Sequence, residues 1–236
     1  MEQVYHENNQ IFGPAKIYAI LKDRGYAISE KTVADIMHKN GWFSIRTGAK
    51  KQYLQQEERR KNILNQQFKV SRPNEVWVSD ITYFRYNGMM YYICVILDLF
   101  ARKVVAYKIS TKNSTQLTKG TFKIAYESRR PSNLLFHSDQ GTNYTSKTFI
   151  KYLRDLNVKQ SFSNAGVPYD NSVIESFFKS MKSERLYRTE FHSERELRES
   201  INHYIEFYNN RRPHSILSNR TPNAYEANYY RNHKDL

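Results

Sequence analysis

Two β-rich runs, residues 74–86 and 89–99, meet at Asn87-Gly88, a pair whose tolerance of positive φ makes it the strongest short hairpin signal. A two-residue turn there fixes the register, pairing position 80 with 95 and position 77 with 98. Successive strand residues face opposite ways, so a bulge-free hairpin puts Asp98 on the face away from Asp80 and excludes it as a partner for that acid. A third run, Arg102 to Ile109, continues the antiparallel meander. Leu117 to Tyr126 has helical spacing, and Leu134 to His137 is a strand that leads into Asp139. Strand, helix, strand implies a parallel crossover, and the ends of such strands are where open α/β sheets bind ligands. The expected fold class is α/β: a mixed sheet of a three-strand antiparallel meander plus parallel strands, flanked by helices.

Asp80 interrupts the strand-like run EVWVSDITYF. A lone carboxylate in such a place is costly to bury, and it usually pairs or binds a metal. Fifty-eight residues lie between Asp80 and Asp139, and thirty-five between Asp139 and Glu175. Glu175 sits in NSVIESFFKSMKSERL, residues 171–186, where Val173, Ile174, Phe177, Phe178 and Met181 recur at three- and four-residue steps. That is an amphipathic helix with one face in a core. Seven residues advance a helix by about 10 Å and nearly restore the azimuth, so Glu175 and Lys182 share a ridge. Taken alone, the ridge reads as a solvated face with Glu175 and Lys179 as an i,i+4 pair. The two upstream acids change that weighting. Three converging acids want a divalent cation; hard oxygen ligands suit Mg²⁺ or Mn²⁺, and two ions about 4 Å apart can activate a nucleophile and stabilise a leaving oxygen in phosphodiester chemistry.

The order Asp80, Asp139, Glu175, Lys182 resembles the DDE core of retroviral integrases and bacterial insertion-sequence transposases. The words WVSDITY, HSDQGTNY, NSVIESFFKSMKSE and YNNRRPH narrow the resemblance to the insertion-sequence-three family of transposases, over roughly residues 11 to 226. It implies a ribonuclease-H-like fold, with Asp80, Asp139 and Glu175 as catalytic metal ligands holding two Mg²⁺ ions, Mn²⁺ serving as a substitute. It further implies cleavage at element ends and strand transfer by an oligomer, with double-stranded DNA as donor and target. Lys182 is placed to bind a phosphate of the element's end, with Lys179 a weaker candidate. His137, Asn143 and Asn171 are expected to support the ligands through hydrogen bonds, His137 rather that than a general base, because two-metal sites make the nucleophile by lowering the pKa of bound water. Gly141 allows a sharp turn after Asp139.

Residues 1–10 are polar and carry no pattern, so a frayed lead is expected. Gly13-Pro14 then opens a short helix stopped by Gly25, and Ser29 caps a second that ends at Gly41. Two such helices make either a plain αα-hairpin or a helix-turn-helix. The resemblance of GPAKIYAILKDRGYAISEKTVADIMHKNGW to the family's N-terminal segment favours the latter, with Lys31, Thr32, Asp35, His38 and Lys39 presented to the major groove. The run Arg46 to Lys61, rich in Lys and Arg, is either a solvated spacer or a tracker of phosphates. The expected organisation is a helix-turn-helix domain at 1–45, a basic linker at 46–72 and a catalytic domain at 73–236.

Lys147 to Leu156 is read as a helix, Val158 to Ser161 as a short strand, and Asn164 to Asn171 as a loop rich in Gly, Pro and Asn. Ser193 with Glu196 opens a long helix striped by Leu197, Ile201, Tyr204 and Tyr208. Beyond it, Arg211, Arg212 and His214 either grip phosphate, the favoured reading, or complement the helix C-terminus. The tail after Pro222 is expected to be loosely held.

Lysine and arginine total 37 against 23 acids, a formal charge of +14, which points to a polyanionic partner. The single cysteine, Cys94, excludes an intramolecular disulfide. No apolar run is long enough for a membrane helix, and nothing resembles a signal peptide, so a bacterial cytoplasmic protein is expected. Two rivals share these features: a ribonuclease-H-like nuclease, and a non-catalytic or domesticated regulator that keeps the DNA grip. Relatives of the family are commonly fusions with an upstream-frame segment carrying a zipper-like helix. No zipper heptads precede Gly13, so the chain resembles the downstream half and a partner segment or subunit is a further expectation.

Overall fold

The computed structural model of the protein describes residues 1–44, 61–164 and 166–233. It divides into two units, Met1–Arg60 and Lys61–Leu236. Most of the basic run from Arg46 lies outside the described residues.

The first unit contains three described helices, α1 (Glu2–Glu7), α2 (Pro14–Asp23) and α3 (Glu30–Lys39). Proline at the first position starts α2, and Ser29 Oγ accepts the Thr32 N–H at 3.1 Å to start α3. The expected frayed lead is instead helical. Val4 and Tyr5 are buried with Ile17, Leu21, Val33 and Met37, and Tyr5 stacks on Trp42 while its hydroxyl meets the backbone of Phe43. Three apolar residues in a polar decapeptide, Met1, Val4 and Tyr5, were too few to show a period, but they suffice to join a small core.

The second unit is built on a five-stranded sheet of order β3-β2-β1-β4-β5: β1 (Val76–Tyr86), β2 (Met89–Asp98), β3 (Lys103–Ser110), β4 (Leu135–Ser138) and β5 (Lys159–Phe162). β1 pairs antiparallel with β2 and parallel with β4. Asn87 and Gly88 both take positive φ (45° and 75°), and the hairpin register is the one the two-residue turn demands: Asp80 opposite Val95, Trp77 opposite Asp98. Asp98 is buried on the Trp77 side, its carboxylate accepting the N–H groups of Asn74 and Phe100.

The alternation of β1 sorts the core into two layers. Trp77 packs with Phe122 and Ala125 of α4 (Thr115–Arg129) and with Phe149 and Leu153 of α6 (Lys147–Asp155). Val76 and Val78 face the opposite layer, α7 (Ser172–Glu184) and α8 (Glu194–Asn210). A one-turn helix, α5 (Thr142–Thr145), follows Gly141.

Two segments differ from the sequence expectation. Residues 61–72, expected as the end of a linker, belong to the second unit, because Leu64 is buried in the α7–α8 core and the Ile63 and Leu64 N–H groups donate to Ser161 Oγ. The tail after Pro222 is not loose but forms α9 (Pro222–Asn232). Thr221 caps it, Tyr225 and Tyr229 pack on Phe100, and buried Glu226 pairs with both Lys103 and Arg129. The Thr-Pro pair at its start is a helix-opening signal that could have revealed it. Replacing Glu226 with Ala leaves two largely buried cations unpaired, so Glu226→Ala is expected to lower unfolding free energy by about 3 kcal/mol in a urea titration.

Candidate active site

Strand alternation places Asp80 two residues beyond Val78, on the face of the sheet that α7 covers. Asp139 follows β4, the parallel neighbour of β1. Glu175 lies in the first turn of α7, whose buried Ile174, Phe177, Phe178 and Met181 set that helix against the sheet and leave Glu175 and Lys179 exposed. Three separate elements therefore bring the acids to one place.

Their proximity has an electrostatic signature. The Asp80 carboxyl is raised to about 7, first by burial and then by the charge of Asp139, with Glu175 adding to the rise. The Ile81 N–H, which donates to Asp80 Oδ1 at 2.7 Å, and the charge of Lys182 oppose it. Lys182 Nζ stands 5.2 Å from the centroid of the Tyr83 ring, and burial lowers its pKa while Asp80 acts to raise it. So the ridge expected on α7 does run from Glu175 towards Lys182, and Lys182 faces β1.

Asp139 is shaped by its own backbone. Its Oδ1 accepts the Gly141 N–H at 3.0 Å, and a Cβ on Gly141 would stand 2.9 Å from that oxygen. Glycine at 141 thus serves clearance for the Asp139 carboxylate; its φ of −55° is open to any residue, so the turn itself does not call for glycine. Among the described residues, no three acids, histidines or cysteines already stand at ligating geometry. The donor set is nevertheless suited to a hard divalent ion: carboxylates only, with the charge of Asp139 and Glu175 adding to the rise of the half-buried Asp80 carboxyl, a repulsion that a bound cation would relieve.

The remaining expected residues are placed as follows. His137 is buried, its two ring nitrogens within 2.9 Å of Ser161 Oγ and 3.1 Å of Ser163 Oγ, and burial lowers its pKa to about 4. Asn143 bonds Asn113 and makes no described contact with the acids. Asn171 is buried at the head of α7 without a capping bond, its Oδ1 unpaired. In the first unit, Lys31, Thr32, Asp35, His38 and Lys39 are all exposed along α3.

The C-terminal cluster divides. Arg211 is exposed, but Arg212 is committed through Nε and Nη2 to Glu184, with bonds of 2.7 to 3.2 Å. His214 packs edge-on against Tyr208, and burial lowers its pKa to about 4, so it carries no charge at neutral pH.

Several residues escaped the sequence reading. Asp170, 1% exposed, accepts Asn62 Nδ2, Gln66 Nε2 and the Asn164 N–H, all at 2.8 Å, and so ties the 61–66 segment to the turn that precedes α7. Behind Asp80, Ser79 Oγ donates to the Val95 carbonyl and meets the Tyr144 hydroxyl at 2.8 Å. An acid just before a helix, as in YDNS, was the one available signal for Asp170.

Residues 70–168 match the integrase core domain family, residues 156–222 match a second integrase core domain family, and residues 1–50 match an HTH-like domain. The chain is 33% identical to the transposase for insertion sequence element IS904 of Lactococcus lactis, over 96% of this chain and 91% of that protein. It is 33% identical to the putative transposase InsK for IS150 of Escherichia coli, over 98% and 82%, and 31% identical to transposase InsF for IS3A of the same species, over 94% and 79%. The chain belongs to the insertion-sequence-three family of transposases. Its fold is also that of solved integrases. The HTLV-2 integrase catalytic core domain in complex with magnesium aligns at a TM-score of 0.53 and 19% identity, over 66% of this transposase-family chain and 97% of that one. The simian T-cell lymphotropic virus intasome with the PP2A regulatory subunit B56 gamma aligns at 0.58 and 15%, over 95% and 73%.

The raised Asp80 pKa has a stability consequence. Asp80 is protonated in the folded chain and ionised in the unfolded one between about pH 4 and 7, so stability contributed below that window is lost as pH rises through it. In chelator, Asp80→Asn is expected to be more stable than the native chain at pH 8 by about 1 to 3 kcal/mol and no more stable at pH 3.5, as measured by denaturant titration.

Proposed function

We propose that this transposase cuts the ends of its insertion sequence and joins them to target DNA by metal-dependent phosphoryl transfer at Asp80, Asp139 and Glu175. The observation that carries the reading is that Asp139 and Glu175, fifty-nine and ninety-five positions further along the chain, are electrostatic neighbours of Asp80 and add to the rise that burial gives its carboxyl. One solved protein of the same fold, the HTLV-2 integrase catalytic core domain, is in complex with magnesium.

Asp80, Asp139 and Glu175 would hold two Mg²⁺ ions, with Mn²⁺ as a substitute, and bound ions supply an activated water or 3′ hydroxyl and a counter-charge for the departing 3′ oxygen. The protein's own contribution is placement. The Ile81 and Gly141 N–H groups each hold one oxygen of an aspartate, Asp80 and Asp139 respectively, and leave the second oxygen of each without a described hydrogen bond. Lys182, braced on the Tyr83 ring, binds a phosphate of the element's end beside the acids, and Lys179, one turn nearer Glu175, supports it. No covalent intermediate with the protein is required, since the attacking and leaving oxygens both belong to water or DNA.

The exposed face of α3, Lys31, Thr32, His38 and Lys39, reads the element's terminal sequence in the major groove. Arg211 adds a phosphate contact, whereas Arg212 and neutral His214 shape the surface beside it. Of the three residues expected to support the acids through hydrogen bonds, none makes a described bond to them: His137 braces Ser161 and Ser163, Asn171 stands at the head of α7, and Asn143 bonds Asn113. Two element ends need two sites, so the chain acts as a homo-oligomer on DNA, in the bacterial cytoplasm, with an upstream-frame segment as a candidate partner.

The test compares the native chain with Glu175→Gln on labelled DNA carrying the element's end, in Mg²⁺ or Mn²⁺, scoring nicked and joined strands. Both are expected to bind the end, and only the native chain to nick and join it. Nicking by both would remove Glu175 from the mechanism; nicking without joined product would favour a ribonuclease-H-like nuclease, and binding without cutting a regulator. Lys182→Ala is expected to weaken binding to the end by about tenfold at low salt, and to reduce the slope of log affinity against log salt by about one unit.

A further inference from the structure

The largest pocket described in the second unit is not at the acids. It holds about 660 Å³ on the flank of α7, between that helix and the segment that follows α8, and Arg102, Arg212, His214, Ser172, Ser176 and Asn219 are among its walls. Ser172 and Ser176 look into it from α7, roughly a quarter turn around the helix from the ridge of Glu175, Lys179 and Lys182. It is therefore adjacent to the candidate active site and separate from it.

Three polar groups here lack partners. Arg102 is 8% exposed, its Nη2 donates to the Phe68 carbonyl at 3.1 Å, and its Nη1 has no partner. No carboxylate among the described residues pairs with it. A buried guanidinium without a counter-charge is costly, and such a group is normally found facing an anion. Arg212 spends Nε and Nη2 on Glu184, which leaves Nη1 free of any described bond. His214 Nε2 is buried and unpartnered as well. The first turn of α7, at Ser172 and Val173, adds the positive end of the helix dipole. Forked guanidinium donors, hydroxyls and a helix start together make the donor set that a tetrahedral oxyanion takes.

We propose that this pocket is an anion site that takes a phosphate group, with Arg102 as its buried counter-charge. The volume exceeds what a phosphate alone fills, and the wall contributed by Phe68, Tyr169 and Tyr208 suits the sugar or base attached to it. The phosphate comes either from a DNA strand laid along α7 or from a free phosphate or nucleotide; the first source rests on the DNA-transposing reading, the second does not.

The experiment titrates inorganic phosphate into the full chain at constant ionic strength, against chloride, following the backbone amide signals of Ser172, Val173 and Asn219 by NMR. Saturable shifts at these residues are expected. Arg102→Gln is expected to weaken phosphate binding about tenfold or more. Because Arg102 is buried and its replacement can disturb folding, Asn219→Asp is the second variant: exposed, nearly isosteric, and at a positive φ that aspartate tolerates, it adds a repelling charge at the rim. It is expected to weaken phosphate about tenfold with an unchanged melting temperature. Non-saturating shifts, or phosphate affinity untouched by Asn219→Asp, would overturn the proposal. DNA binding then assigns the source: a salt slope reduced by about one unit in Asn219→Asp identifies a DNA phosphate, and an unchanged slope with weakened phosphate binding identifies a free one. Since phosphate titration needs neither metal nor nicking, loss of this site and failure of the active-site reading give different results.

Discussion

The packing of α7 on the sheet is the contact on which the site depends. Ile174, Phe177, Phe178 and Met181 are buried against a layer that includes Val76 and Val78, and β1 offers that face only at alternate residues. Asp80 has the same parity as those valines, so once α7 is seated the Asp80 side chain lies under the helix that carries Glu175 and Lys182. The parallel pairing of β4 with β1, His137 opposite Val78 and Ser138 opposite Ser79, then delivers Asp139 to the same end of the sheet. Burial of apolar surface thus provides the free energy that holds three like charges together.

Around this contact the chain is braced by polar networks that would be costly to leave half-made. Segment 61–66 crosses β5, where Ser161 Oγ accepts the Ile63 and Leu64 N–H groups and also meets His137. The same segment reaches Asp170, whose two oxygens are filled by side chains of Asn62 and Gln66 and by the Asn164 backbone. A carboxylate satisfied wholly by N–H donors needs no cation, and it joins the entry to the catalytic unit to the turn that launches α7. At the far edge, Glu226 of α9 performs the equivalent closure, drawing Lys103 of β3 and Arg129 of α4 to one carboxylate.

Charge is distributed unevenly over these tasks. Among the described residues, cations such as Lys31, Lys39, Lys179 and Arg211 are exposed, an arrangement that suits association with a polyanion. Two cations are held by the fold itself: Arg212 by its bonds to Glu184, and Arg102, just before β3, by burial and its bond to the Phe68 carbonyl. A run such as YNNRRPH therefore contains one exposed arginine and one held by a carboxylate, a distinction of tertiary origin.

Local rules were enough for much of the architecture. The Asn87-Gly88 turn determined the hairpin register and the opposite faces of Asp80 and Asp98; the apolar period of 171–186 determined which side of α7 is buried; the order of Asp80, Asp139 and Glu175 among recognisable motifs indicated the family. These features depend on a few consecutive residues, whose sterics and periodicity are written in sequence. What only the tertiary structure decided involves residues far apart. Val4 and Tyr5 make a helix of a polar lead because Trp42 and Met37 are there to receive them. Leu64 turns an expected linker into core, and Glu226 finds two cations from distant elements. The elevation of Asp80 and the unpaired Nη1 of Arg102 belong to the same class, since desolvation and through-space charge are properties of the packed chain and not of any stretch of it.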